Sequence, residues 1–170
     1  MKYSFANRVM ALQPSAIREI LKFTSDPQVI SFAAGNPAPE AFPVEAIAKI
    51  SADIFANNPI EALQYSITEG YAPLRKTLKE YMSSKYDSVK DFDELIVTTG
   101  AQQVMELTTK ALCNEGDTIL CEAPSFIGSL DAFRSYGVKL RGIPVDSDGI
   151  NLEELETALK EEKKAKFLYV

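Results

Sequence analysis

A chain of 170 residues, 46% hydrophobic and 25% charged, has the size and apolar content of one soluble globular domain with a substantial core. Its 24 acidic against 18 basic residues leave a net charge of -6, which speaks against a nucleic-acid partner. There is no histidine, so Ser-His-Asp and Cys-His catalysis and most zinc chemistry are excluded from this stretch, and no metal site is expected.

The two cysteines, Cys113 and Cys121, match no metal or redox spacing and read as buried thiols of a reducing compartment. Met1 to Leu12 lacks the continuous apolar run of a signal peptide. No stretch approaches the ~18 apolar residues of a membrane span. The expected location is the cytoplasm, with no membrane partner.

Residues 1 to about 60 are irregular and punctuated. Ile17–Phe23 is predicted as a short helix after Pro14, and Val29–Ala34 is a short apolar run. Gly35-Asn36-Pro37-Ala38-Pro39 must turn, because two prolines and a glycine continue neither strand nor helix. A helix follows with Pro43 at its first position and Ile47, Ile50 and Ile54 on one face.

From about residue 70 the pattern becomes regular. Pro73 opens a helix with Leu74, Leu78, Tyr81 and Met82 on one side. Leu95–Thr99 reads as a strand, and Gln102–Leu112 as a helix with Val104, Leu107 and Ala111 at helical spacing. Thr118–Cys121 is a strand, and Ile127–Tyr136 a helix closed by Gly137. Val138–Val145 is a strand, Leu152–Lys163 a helix with Leu152, Leu155 and Leu159 inward, and Phe167–Val170 the start of another strand. This alternation predicts an open α/β sheet covered by helices. The final strand stops with no partner element after it, which reads as truncation, since its backbone groups need somewhere to go.

Two segments carry chemistry. In Val97-Thr98-Thr99-Gly100-Ala101-Gln102-Gln103 a strand ends, a glycine turns the chain and a helix begins. Free N–H groups at a helix N-terminus, with the helix dipole behind them, bind phosphate and other anions. Gly100 lets the backbone approach closely. An ordinary capped turn with nothing bound explains this segment about equally well. Neither a P-loop nor a dinucleotide fingerprint is present. In Cys121-Glu122-Ala123-Pro124-Ser125-Phe126, proline blocks the strand and an aromatic follows. Phe126 would lie flat on a planar ligand held by the preceding anion turn, or else be a core phenylalanine under a loop.

Leu63-Gln64-Tyr65-Ser66 with Glu69-Gly70-Tyr71-Ala72-Pro73-Leu74-Arg75 resembles a segment of the class I/II aminotransferases, which depend on pyridoxal 5'-phosphate. Thr98–Gln103 resembles their phosphate-binding turn. Gly116-Asp117, Glu122-Ala123-Pro124 and Pro144–Gly149 resemble the next signposts in order and spacing. Pro14–Arg18 and Ser31–Pro37 are similar to the subgroup that contains 2-aminoadipate and kynurenine aminotransferases. Each motif alone is weak, but together they span essentially the whole chain, which is less than half of a usual family chain.

The resemblance implies a three-layer α/β/α PLP-transferase fold, here an incomplete N-terminal portion. Residues 1–60 would be an N-terminal arm contributing to the substrate pocket and small domain, and 61–170 the first part of the large cofactor-binding domain. It implies that the N–H groups of Gly100, Ala101 and Gln102 hold the cofactor phosphate and that Phe126 stacks on the pyridine ring. It implies that Tyr65 reaches across a homodimer interface to the neighbour's phosphate, that Gly35 lines the substrate pocket, and that Arg18 binds substrate. The substrates implied are an amino acid and a 2-oxo acid.

No residue here is expected to be catalytic by itself, because the family's Schiff-base lysine would lie beyond Val170. Ser83-Ser84-Lys85 mimics that lysine's context but falls too early, at the end of the Pro73 helix.

In the family's sheet order, 3-2-4-5-6-7-1, this chain would hold strands one to three and the start of four. The strands near 118–121, 138–145 and 167–170 would be neighbours, and Leu95–Thr99 would lie across absent strands, leaving an apolar edge to be covered by association or by a longer chain. Other readings are a C–S lyase or decarboxylase on the same fold, the sensor domain of a transcription regulator preceded by a basic winged helix, and a non-catalytic α/β binding module. Family-like segments that start almost at Met1 weigh against the regulator.

Overall fold

The computed structural model describes residues 3–10, 23, 28–30, 32 and 37–170. They fall into two compact units, one built from residues 1–15 and 98–170 and the other from 16–97.

The first unit holds a four-stranded sheet. Its strands are β1 (Thr118–Ala123), β2 (Lys139–Asp146), β3 (Gly149–Ile150) and β4 (Ala165–Tyr169), in spatial order β3-β2-β1-β4. β1 pairs in parallel with both β2 and β4, so it is the central strand, and the expected adjacency of these three is what forms. β3, which the sequence pattern does not reveal, is a two-residue antiparallel return beside β2. Among the described residues, the α-helices of this unit are α1 (Asn7–Met10), α5 (Gly100–Leu112), α6 (Ile127–Arg134) and α7 (Leu152–Glu161), and those of the second unit are α2 (Val44–Asn57), α3 (Pro59–Leu63) and α4 (Ala72–Tyr86).

Alternation along β1 builds the core on both faces of the sheet, because successive side chains of a strand point opposite ways. Ile119 packs with Phe133 of α6 and Val138, joined by Met105 of α5 and by Phe167 and Tyr169 of β4. Leu120 turns the other way, onto Ile143 of β2 and Ala158 of α7. The result is the three-layer α/β/α arrangement, with α5 and α6 on one side and α7 on the other. The Phe133 ring stands edge-on to Phe167 and Tyr169, at centroid distances of 5.8 and 5.3 Å. Removing so central a ring costs about 3–5 kcal/mol in a typical core.

Several expected faces differ. Val104, Leu107 and Ala111 of α5 are exposed, while Met105 and the fully buried Thr109 face the core. α5 carries apolar residues on two sides, and the sheet takes only one. In α7, Leu152 and Leu159 are exposed, and Leu155 with Ala158 supplies the inward stripe. Cys121 is buried as expected, but Cys113, at the end of α5, is only half-buried. Burial pushes both thiols up, away from the reactive thiolate.

In the second unit, Pro43 precedes α2 rather than opening it, and Pro73 is the second residue of α4. None of its described residues is buried, and Ile47, Ile50 and Ile54 line an open face of α2. Leu95–Thr99 forms no strand, since no described strand pairs with it. Arg75 donates to the Leu95 carbonyl and pairs with Glu94 at 3.1 Å, and the Val97 N–H reaches the Glu69 carbonyl at 2.9 Å. Residues 17–22 of the expected Ile17–Phe23 helix, and 31, 33 and 34 of the Val29–Ala34 run, lie outside the described residues; Phe23, Val29, Ile30 and Phe32 are exposed.

The amino ends of the strands are fixed by the Asn114–Asp117 turn. Asp117 Oδ2 accepts the Asn114 N–H at 2.8 Å and faces Lys166 Nζ of β4 at 3.4 Å. The Gly116 N–H reaches the Gly137 carbonyl at 2.9 Å, and the Asp117 carbonyl accepts from Lys139 of β2 at 2.8 Å. The Asn114 N–H holds the Asp117 carboxyl below the usual aspartate range, and Lys166 works in the same direction against the effect of burial. A lowered folded-state value stabilises the fold above the ordinary carboxylate range and loses that contribution as pH falls through the folded value. Thermal melting followed from about pH 6 downward should therefore show an acid-labile component that disappears in Asp117→Asn, whose melting temperature is lower at neutral pH. An Asp117→Asn protein as stable as the parent at neutral pH would contradict this role.

Candidate active site

The site is built where α5 and α6 begin. Thr99 sits at φ -81° and ψ 71°, and the Gly100 N–H returns to the Thr98 carbonyl at 3.0 Å, an inverse γ-turn. Gly100 then takes φ +75°, a left-handed conformation in which a side chain is disfavoured. A Cβ at Gly100 would meet nothing within 4 Å, so the glycine serves the backbone path and leaves the space in front of the turn open.

Of the three N–H groups assigned to an anion, that of Gly100 is thus engaged within the turn. Those of Ala101 and Gln102 have no partner among the described residues and open the first turn of α5. The Gln103 side chain, not singled out from the sequence, accepts the Thr99 N–H at 2.6 Å and steadies the turn.

Phe126 lies at the start of α6, just past the carboxyl end of β1 and the cis Ala123–Pro124 bond. Phe126 is 61% exposed, so the described residues do not cover it as a core phenylalanine. Its carbonyl accepts the N–H groups of Ser129 and Leu130 at 3.1 and 3.3 Å, which fixes the backbone under the ring. The anion turn and this aromatic are joined: Gln102 Nε2 donates to the Gly128 carbonyl at 3.4 Å. Ser129, fully buried, donates its hydroxyl to the Tyr169 OH at 2.8 Å, tying the first turn of α6 to β4. The sequence feature that marks this support around Phe126 is Gly128, a glycine at the second position of a helix, where nothing in the backbone requires one and where it costs roughly 0.5–1 kcal/mol relative to alanine.

Tyr65 belongs to the other unit and is almost fully exposed, at 99%. Its backbone N–H donates to the Gln64 side chain at 2.8 Å, and none of the described residues covers its ring as in an ordinary core tyrosine. Gly35 and Arg18 lie outside the described residues. Lys85 closes α4 with its Nζ donating to the Tyr81 OH at 2.7 Å, in the unit that does not contain the anion turn.

The model of the family described as aminotransferase class I and II matches residues 27–170. The chain is 39% identical over 169 residues to aromatic-amino-acid aminotransferase 1 of Thermococcus litoralis, covering 97% of this chain and 40% of that protein. It is 41% identical over 167 residues to the 2-aminoadipate transaminase of Thermus thermophilus, covering 98% of this chain and 40% of that one. The crystal structure of Pyrococcus horikoshii kynurenine aminotransferase in complex with PMP superposes with a TM-score of 0.89 at 35% identity, over 98% of this chain and 42% of that one. The chain therefore spans about 40% of the length of the relatives it matches.

If Gly100 serves the backbone, Gly100→Val should destabilise the first unit by about 1–2 kcal/mol, the cost of a left-handed residue with a side chain. The affinity for inorganic phosphate should fall with it, since the turn that presents Ala101 and Gln102 is lost. Chemical denaturation and phosphate titration check the two effects, and a Gly100→Val protein with unchanged stability and phosphate affinity would refute the assignment.

Proposed function

This chain belongs to the aminotransferase class I and II family, and from that premise we propose that the whole protein is a pyridoxal-phosphate-dependent aminotransferase that moves an amino group between an amino acid and a 2-oxo acid. The observation that carries the reading is the pair of unpartnered N–H groups at Ala101 and Gln102, held to the seat of an exposed aromatic, Phe126, by the Gln102–Gly128 hydrogen bond. A phosphate and a flat ring on one ligand need those two features side by side.

The residues present fit pyridoxal phosphate. Ala101 and Gln102 would donate to its phosphate, with the α5 dipole behind them, and Gly100 would keep the approach clear. Phe126 would cover one face of the pyridine ring, excluding water and fixing the ring plane. The bound cofactor supplies a conjugated ring that takes up the electron pair left at the substrate Cα. Gly35 and Arg18 are proposed to shape the pocket and bind the substrate. Tyr65, with its ring in solvent, is proposed to reach the phosphate of a second subunit in a homodimer. Residues 1–60 then serve as the arm and pocket segment, and 61–170 open the cofactor domain. The similarity to 2-aminoadipate and aromatic-amino-acid aminotransferases supports a role in amino-acid metabolism. A cytoplasmic location without membrane or nucleic-acid partners is part of the same proposal; among the described residues no helix is long and apolar enough to cross a membrane.

The reading is tested with the intact gene product and with residues 1–170 alone. The intact protein with pyridoxal phosphate should transfer the amino group of at least one amino acid to a 2-oxo acid, and light scattering should give twice the protomer mass. Residues 1–170 should show no transfer, and borohydride treatment with peptide mapping should find no single dominant modified lysine. An intact protein without amino transfer across a broad amino-acid panel would sink the proposal, and one dominant lysine within 1–170 would place the catalytic amine here instead.

A further inference from the structure

Gly128 has no conformational reason to be glycine: it lies within α6, does not adopt a positive φ, and glycine weakens a helix relative to alanine. What surrounds it does give a reason. A Cβ built on Gly128 would lie 2.6 Å from Phe126 Cε1 and 2.9 Å from Cζ, against an ordinary contact of 3.4 Å or more. The Phe126 ring therefore occupies the volume that any other residue's side chain would take.

The backbone on both sides is fixed. The Phe126 carbonyl accepts the Ser129 and Leu130 N–H groups and the Gly128 carbonyl accepts from Gln102, while the Ser129 side chain is anchored by donating to the Tyr169 hydroxyl. The ring, mostly in solvent, is the part free to give way.

We propose that Gly128 is a positioning residue for the cofactor: its missing side chain is the seat of the Phe126 ring and sets where that ring meets the pyridine plane. The inference rests on the reading of Phe126 as the stacking residue and adds to it the residue that aims the ring. Stacking depends on the separation and offset of the two planes, so a ring pushed off its seat loses contact with the cofactor while the phosphate turn, whose own N–H groups are unaffected, keeps its grip.

The experiment is a double-mutant cycle in the intact protein, comparing the parent with Gly128→Ala, Phe126→Ala and the double variant. Pyridoxal phosphate affinity, inorganic phosphate affinity and the melting temperature of the apo form are measured for each. Gly128→Ala should weaken pyridoxal phosphate about tenfold, an order-of-magnitude figure for a displaced aromatic contact. It should leave phosphate affinity unchanged, leave the apo melting temperature unchanged or raised, and cause almost no further loss when Phe126 is already alanine.

A tenfold loss that persists in the Phe126→Ala background overturns the proposal, as does a Gly128→Ala protein that binds pyridoxal phosphate like the parent. A lowered apo melting temperature with loss of phosphate affinity also overturns it, since the glycine would then serve the fold. Wild-type affinity in Phe126→Ala itself removes the stacking reading underneath. Weak binding in Phe126→Ala with normal binding in Gly128→Ala removes only the present inference.

Discussion

The rest of the first unit depends on the parallel pairing of β1 with β2 on one side and β4 on the other. Parallel neighbours cannot be joined by a hairpin, so the chain must cross back over a face of the sheet each time, and a helix does the crossing. Every crossover then starts at the same edge, the carboxyl ends of the strands, where ligands of open α/β sheets bind. At that edge, Phe126 leads into α6, Gly128 lies in its first turn, and Tyr169 at the end of β4 receives the Ser129 hydroxyl. The opposite edge is closed by the Asn114–Asp117 turn and its contacts with Gly137, Lys139 and Lys166. One edge is stitched for stability, and the other keeps N–H groups and an aromatic ring available.

How far the sequence discloses this depends on whether a feature is local. β1, β2, α6 and α7 are legible because each is a short apolar run or stripe bounded by Gly116, Pro124, Gly137 and Asn151. The Asn151 side chain caps α7 by accepting the Glu154 N–H at 3.0 Å. What fails is what depends on a partner elsewhere. Leu95–Thr99 has the composition of a strand, but a strand exists only as part of a ladder, and no described strand pairs with it. α5 offers two apolar faces, and periodicity cannot say which one the sheet takes; Met105 and Thr109 win over Val104 and Leu107. β3 is two residues long and carries no period at all.

The candidate site divides in the same way. The turn at Gly100 is legible because its chemistry lies in consecutive residues. The allocation of its donors is not: the γ-turn at Thr99 takes the Gly100 N–H and leaves Ala101 and Gln102. The exposed position of Phe126 follows from where β1 ends, but its link to the anion turn runs through Gln102 and Gly128, which are 26 residues apart, and no spacing rule connects them.

The central claim is that the phosphate of the cofactor sits on the first turn of α5 while its ring lies against Phe126. A crystal structure of the intact protein grown with pyridoxal phosphate measures this directly. The account predicts phosphate oxygens within about 2.7–3.2 Å of the Ala101 and Gln102 nitrogens, with the pyridine ring stacked on Phe126. A phosphate bound at another helix N-terminus, or a pyridine ring with no contact to Phe126, would contradict it.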